Sequence, residues 1–181
     1  MLHPIIRFPV WRREFGIEYR MTTQDKHISV CICTFKRPDL LKRLLDELDR
    51  QCTGGLFSYS VVVVDNDRCK SAQNVVESFQ QASNLDVQYC VESEQSIALA
   101  RNRAVENSTG DFIAFIDDDE YPSRNWLLDL FRAYHKFSAD GVLGPVLPYY
   151  ETDPPEWIIK GKFHERPSHK TGTILHWTNT R

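Results

Sequence analysis

The chain has 181 residues, 41% of them hydrophobic and 26% charged, with a formal net charge of −3; these are ordinary values for a soluble globular protein of one domain or slightly more. No basic run exceeds a pair such as Arg12–Arg13, so a nucleic-acid partner is not expected. No apolar stretch approaches the ~20 residues of a membrane span, and the arginine-bearing start MLHPIIRFPVWRREFG does not read as a signal peptide.

Residues 1–26 read as an N-terminal arm in which Pro4 and Pro9 forbid regular structure, with Met21 open as an internal start. Within it, IIRFPVWRR is a candidate for peripheral contact with a membrane surface or a second protomer. Order is expected from HISVCICTF (27–35), an apolar run of strand length. Pro38 suits the first turn of a helix. Leu40, Leu41, Leu44, Leu45 and Leu48 then recur at helical spacing, and Gly54-Gly55 stop the pattern.

YSVVVVD (59–65) reads as a strand buried on both faces. Residues 71–83 read as a helix, VQYCV (87–91) as a third strand and residues 95–108 as another helix, closed by Gly110. The strand FIAFI (112–116) follows and runs into Asp117, Asp118, Asp119 and Glu120. Ser123 is placed to cap an amphipathic helix with Trp126, Leu127, Leu130, Phe131, Tyr134 and Phe137 on its inner side. GVLGPVLPYY suggests a short strand or two, ETDPPEW a Pro-rich turn and TGTILHWTNTR one further strand, with no helix at the end. Strands alternating with helices of 10–15 residues predict an α/β domain, a mostly parallel sheet with helices on both faces.

The five cysteines (31, 33, 52, 69, 90) lie in or beside apolar segments. Cys31 and Cys33 alternate along a strand and share a face, but no second pair follows at zinc-site spacing. They read as buried reduced thiols of a cytoplasmic protein. The histidines (3, 27, 135, 164, 169, 176) form no ligand pattern and read as structural or surface groups.

In open parallel sheets ligands bind at the carboxyl ends of strands. Thr34-Phe35, Asp65-Asn66 and Asp117 to Glu120 all leave strands at that edge. Asp117 and Asp119, at i and i+2, should point to one side, and Asp118 away from them. An oxygen-only pair favours a hard cation, Mg²⁺ or Mn²⁺, which would also relieve the repulsion between the carboxylates. For Asp118 and Glu120 the plainer reading is a solvated loop before Pro122. Asp65 is placed to accept hydrogen bonds from a base or sugar, or to act as a turn or helix-capping carboxylate. Arg101, among Ala98, Ala100 and Ala104, can face a phosphate, hold the aspartates or make a plain salt bridge. Arg37 can reach the same crevice. No GxGxxG, GxxxxGK[ST] or GxSxG occurs, so dinucleotide, P-loop and serine-hydrolase chemistry lack their motifs.

The segments SVCICTFKRPDLLKRLLDEL (29–48), VVVVDN (61–66), IALARNRAVENSTGDFIAFIDDDEYP (97–122) and WLLDLF (126–131) together resemble family 2 glycosyltransferases of the GT-A fold. The resemblance spans roughly residues 27–147. It implies a nucleotide-sugar-binding domain over 27–147 and the start of an acceptor-side region over 148–181, the fold being truncated in its acceptor half. It also implies metal-dependent, inverting transfer of a sugar from a UDP- or GDP-type donor to a glycan, a lipid-linked acceptor or another small acceptor hydroxyl. The setting implied is polysaccharide biosynthesis in the cytoplasm or at the inner face of the membrane. Thr34, Phe35 and Arg37 would line the base pocket and Asp65, with Asn66, would contact the base. Asp117 would take the ribose side, with Asp118 beside it in the substrate-binding set. Asp117 and Asp119 would hold the metal at the diphosphate, and Arg101 would support the phosphate or the aspartates. The general base is expected beyond residue 181. Asp153, Glu156 and Glu165 are available carboxylates outside any matching motif. The alternative is a non-catalytic donor-binding subunit or a degenerate homologue without its base. A sugar nucleotidyltransferase would want a Gly-rich loop after the first strand, where CTFKRPD has no glycine, and a DxDxT phosphatase would want its aspartates there.

Overall fold

The computed structural model describes residues 3–7, 26–165, 167 and 169–175. The elements run β1 (His3–Arg7), β2 (His27–Thr34), α1 (Pro38–Leu48), β3 (Ser58–Asp65), α2 (Gln73–Ala82), β4 (Val87–Val91), α3 (Ile97–Glu106), β5 (Phe112–Asp117), α4 (Trp126–Phe137), β6 (Gly141–Gly144) and α5 (Glu156–Gly161). They form a six-stranded sheet in the order β4-β3-β2-β5-β1-β6. The four strands β4, β3, β2 and β5 are mutually parallel.

The chain moves outward from β2 to β3 and β4, then returns past them to place β5 on the other side of β2. Right-handed crossovers in opposite directions put their helices on opposite faces. Accordingly, Leu41, Leu44, Leu45 and Leu48 of α1 and Val76 and Phe79 of α2 join Ile28, Val30 and Ile32 in one core, which α4 completes with Leu127, Leu130 and Phe131. Among the described residues, only α3 covers the other face, where Ala100 and Ala104 lie on Cys31, Val62, Val64 and Ile113. Small residues there bring the α3 backbone close to the sheet. Ala98, grouped with them from the sequence, is exposed instead.

Several expectations need correction. Pro4 does not exclude regular structure: β1 is antiparallel to both β5 and β6. Pro4 lies opposite Leu143 of β6, while the β5 ladder begins at Ile5, so a missing donor near a strand start is tolerated. Ser123 does not cap α4 through its side chain. The cap position is Asn125, without a side-chain cap, and Ser123 contributes its carbonyl, which accepts from Trp126 N and from Gln51 Nε2. Gln51 also accepts from Leu127 N through Oε1, so this buried amide fastens the start of α4. Of the inner-face residues expected on α4, Phe137 is exposed. The Pro-rich turn leads into a short helix, α5, that periodicity did not reveal. Residues 171–175 are not in a strand, and residues 176–181 of the strand expected over 171–181 lie outside the described residues. The cysteines are all free, but of the five expected to be buried only Cys31 is; Cys33, Cys52 and Cys90 are part-buried and Cys69 is exposed.

Gly110 leads into β5 where a Cβ would meet Ser29 N at 2.7 Å and Phe112 O at 2.8 Å. Those atoms belong to backbone that cannot step aside without breaking the β2–β5 ladder. Gly110→Ala should therefore cost roughly 1–3 kcal/mol of stability, read by urea denaturation.

His27 opens β2 with its ring between Ser58 Oγ (2.8 Å) and Ser60 Oγ (2.9 Å). Burial lowers its pKa below 6.5, against the pull of Asp111 and Asp86. A depressed histidine binds fewer protons folded than unfolded, so its contribution is present above its ordinary value and is lost as pH falls through the lowered one. Stability of the wild type should fall relative to His27→Gln between about pH 7 and about pH 5, measured by denaturant melts at stepped pH.

Candidate functional site

Parallel pairing brings the carboxyl ends of β2, β3 and β5 level. Thr34 lies opposite Asp65, and Cys33 lies between Val64 and Asp117. The gap between β2 and β5 is the point at which strand order reverses, where an open α/β sheet forms its ligand crevice. Three sets of side chains meet there.

In the first set, Asp118 is 5% exposed. It accepts from Thr34 Oγ1 at 2.7 Å and from Arg37 Nη1 at 3.1 Å. The expectation that Asp118 points away into a solvated loop is therefore wrong. Ile113 and Phe115 pack on the α3 face while Ile116 packs on the α1 face, so alternation carries Asp118 to the side of Thr34. Burial raises its pKa, opposed by the Thr34 hydrogen bond and the Arg37 charge. Arg37 Nη1 also reaches Asp119 Oδ2 at 3.1 Å, with both of those side chains about half exposed.

In the second set, Asp117 Oδ1 pairs with Arg101 Nη2 at 3.2 Å. Arg101 thus holds an aspartate, one of the roles expected for it. Asp117 and Asp119 were expected on one side through strand alternation. Instead β5 ends at Asp117, a turn follows in which Glu120 N donates to Asp117 O, and Asp119 joins Asp118 at Arg37. Burial also pushes the neighbouring Cys33 thiol up to about 12, against the Arg101 charge.

The third set revises the strand-end residues of β3. Asp65 is fully buried. Its oxygens accept from Asp67 N (3.0 Å), Ala72 N (2.7 Å) and Tyr89 Oη (2.9 Å), which is the turn-and-cap behaviour weighed against a base contact. Asn66 donates to Glu92 O (2.9 Å) and Glu94 O (2.7 Å) and accepts from Ser96 N (2.9 Å). Ser96 is the N-cap of α3. Asn66 therefore ties the end of β3 to the loop that launches the helix carrying Arg101. Tyr89 went unnoticed in the sequence, although its place near the end of a strand beside β3 puts it within reach of Asp65. Phe35, expected at a base, is 36% exposed beyond Thr34, with Lys36 Nζ 5.0 Å from its ring centre.

Residues after the acidic turn are also secured. Arg43 of α1 lies 3.8 Å over the Tyr121 ring and pairs with Glu151 at 3.3 Å, while Tyr121 contacts Tyr149 at 5.3 Å between ring centres. Glu156 and Glu165 are in exposed ion pairs with Lys160 and Lys162.

A divalent cation fits this edge in part. Among the described residues no group of three or more His, Cys, Asp or Glu side chains forms a metal cage. Asp117 and Asp119 nevertheless each present a carboxylate at this edge, engaged through one oxygen with an arginine. Hard cations such as Mg²⁺ use one or two carboxylates and complete their shell with phosphates and water.

A family model described as Glycosyl transferase family 2 matches residues 29–180. Succinoglycan biosynthesis protein ExoM of Rhizobium meliloti (strain 1021) is 37% identical over 144 residues, which is 80% of this chain and 46% of that protein. Glycosyltransferase AglE of Haloferax volcanii is 32% identical over 59% of this chain and 35% of its own length. The chain thus spans less than half the length of these relatives. Two solved structures share its fold with a TM-score of 0.53: S. aureus TarS 1–349 in complex with UDP, 22% identical over 62% of this chain and 33% of that one, and the mannosyltransferase PcManGT of Pyrobaculum calidifontis in complex with GDP-Man and Mn²⁺, 23% identical over 60% and 32%.

Asn66→Ala removes three hydrogen bonds and leaves two carbonyls and an amide of the 92–96 loop without partners. It should cost roughly 2–3 kcal/mol in denaturant melts and speed hydrogen exchange selectively over residues 92–100.

Proposed function

Because the chain belongs to glycosyl transferase family 2, we propose that it supplies the donor half of a sugar transfer, binding a nucleotide-diphosphate sugar at the crevice between β2 and β5. The observation that carries this reading is the pair Asp117 and Asp119 at and just beyond the end of β5, each held through one oxygen by Arg101 or Arg37. Two structural relatives, one in complex with UDP and the other with GDP-Man and Mn²⁺, support a nucleotide and a cation as ligands here. The acceptor is a hydroxyl of a glycan or lipid-linked saccharide. Transfer is inverting, in line with the family resemblance.

The roles of this chain's residues follow from where they lie. Phe35 has the exposure and aromatic surface to stack on a base. Thr34, fully engaged with Asp118, sets the floor of the crevice and does not reach outward. Asp117 and Asp119 would hold the cation, whose chemistry is to stabilise charge on the departing diphosphate. Arg101 fixes the Asp117 carboxylate, so that it meets its ligand without first losing side-chain freedom. Asp65 and Asn66 hold the loops around the site.

Calorimetric titration with UDP and with GDP, each in Mn²⁺ and in chelator, tests the reading. Binding of one nucleotide should require Mn²⁺ and weaken at least tenfold in Asp119→Ala, as for loss of groups that support a metal site. Absence of nucleotide binding in every metal condition would overturn the donor-site reading and favour a non-catalytic subunit.

A further inference from the structure

The Arg37 side chain makes two ion pairs from one atom: Nη1 lies 3.1 Å from Asp118 Oδ1 and 3.1 Å from Asp119 Oδ2. Those two partners differ. The Asp118 side chain is 6% exposed and also held by Thr34, whereas the Asp119 side chain is 53% exposed and belongs to the pair assigned to the cation. Arg37 itself is 52% exposed on its side chain. It occupies the N-cap position of α1 but makes no side-chain cap hydrogen bond. Its guanidinium is thus held by the two carboxylates it neutralises.

A cation on Asp119 and the guanidinium beside it are like charges on one carboxylate, and each weakens the hold of the other. A diphosphate changes that balance, because its oxygens can complete the cation's shell and accept the fork of N–H donors that arginine presents. We infer that Arg37 couples cation and donor: it opposes the cation on Asp119 when no donor is present, and turns to the diphosphate when one is. Cation and nucleotide then each tighten the binding of the other by the same factor, as linkage requires. This rests on the donor-site reading above but adds to it a residue that sets the order of assembly. Asp118 stays with Thr34 throughout, giving the arginine a fixed point to swing from.

The test measures free Mn²⁺ by electron paramagnetic resonance during titration of the protein, with and without UDP and GDP, and nucleotide affinity by calorimetry. Wild type is compared with Arg37→Gln and Arg37→Lys. Arg37→Gln should bind Mn²⁺ alone roughly five- to tenfold more tightly, a figure reduced by the exposure of the pair. It should bind the nucleotide in Mn²⁺ several-fold more weakly, so that the mutual tightening collapses. Arg37→Lys retains the charge and should keep Mn²⁺ alone at the wild-type affinity. Arg37→Gln should melt somewhat lower than wild type, since the buried Asp118 carboxylate loses its guanidinium partner, and Arg37→Lys, which keeps the charge, should melt closer to wild type. If nucleotide still binds with Mn²⁺ but Arg37→Gln leaves the affinity for Mn²⁺ alone unchanged or weaker, the coupling role is overturned and the donor site stands. If neither Mn²⁺ nor nucleotide binds any variant, both readings fail together.

Discussion

The Thr34–Asp118 hydrogen bond, 2.7 Å long and buried, joins the carboxyl ends of β2 and β5 across the point where the sheet reverses its order. Burying a carboxylate is costly, and it persists only when its oxygens are satisfied. Here a threonine hydroxyl and the Arg37 guanidinium do so. The consequence is geometric. With Asp118 anchored on the α1 face, its neighbours are constrained too: Asp117 ends β5 toward α3, and Asp119 emerges at the surface. Each of these two carboxylates thereby meets its own arginine, Asp117 Arg101 and Asp119 Arg37.

The two arginines come from opposite faces of the sheet. Arg37 follows β2 directly, while Arg101 is carried on α3, the helix that crosses behind. The position of α3 depends in turn on Ala100 and Ala104, which let its backbone approach Cys31 and Val64, and on Asn66, which secures the loop before its N-cap. The chain of cause runs from small residues and a buried amide, through the placement of one helix, to the charge beside Asp117. Asp65 plays the matching part on the other loop, tying the turn after β3 to the start of α2. Burial and the Asp65 hydrogen bond raise the pKa of Tyr89, which keeps that phenol protonated as a donor.

The alternating pattern of strands and helices, the apolar character of β3 and the stop at Gly110 were all legible because they are local: period, β-branching and turn chemistry act within a few residues. The convergence of Thr34, Asp65 and Asp117 on one edge also followed from sequence, since parallel strands share a direction. The same local reasoning failed where partners came from elsewhere. Pro4 sits in a strand because a neighbouring ladder begins one residue later. Periodicity gave α5 no signature, for it has only six residues and buries none of them.

By itself, the sequence determined the α/β alternation, the edge of the sheet that carries polar groups, and the family, because each is written in residues close together in the chain. Tertiary structure alone decided what those polar groups do. Asp118, for which a solvated loop is the plainer local reading, is the buried anchor, and Asp65, open to a base contact or a turn role, is hydrogen-bonded with Asn66 to their own loops. In each case the partner lies far off in sequence: Thr34 is 84 residues from Asp118, and Ser96 is 30 from Asn66. Whether a carboxylate faces water, metal or its own backbone depends on which distant donors the fold delivers, and no local pattern of residue types records that.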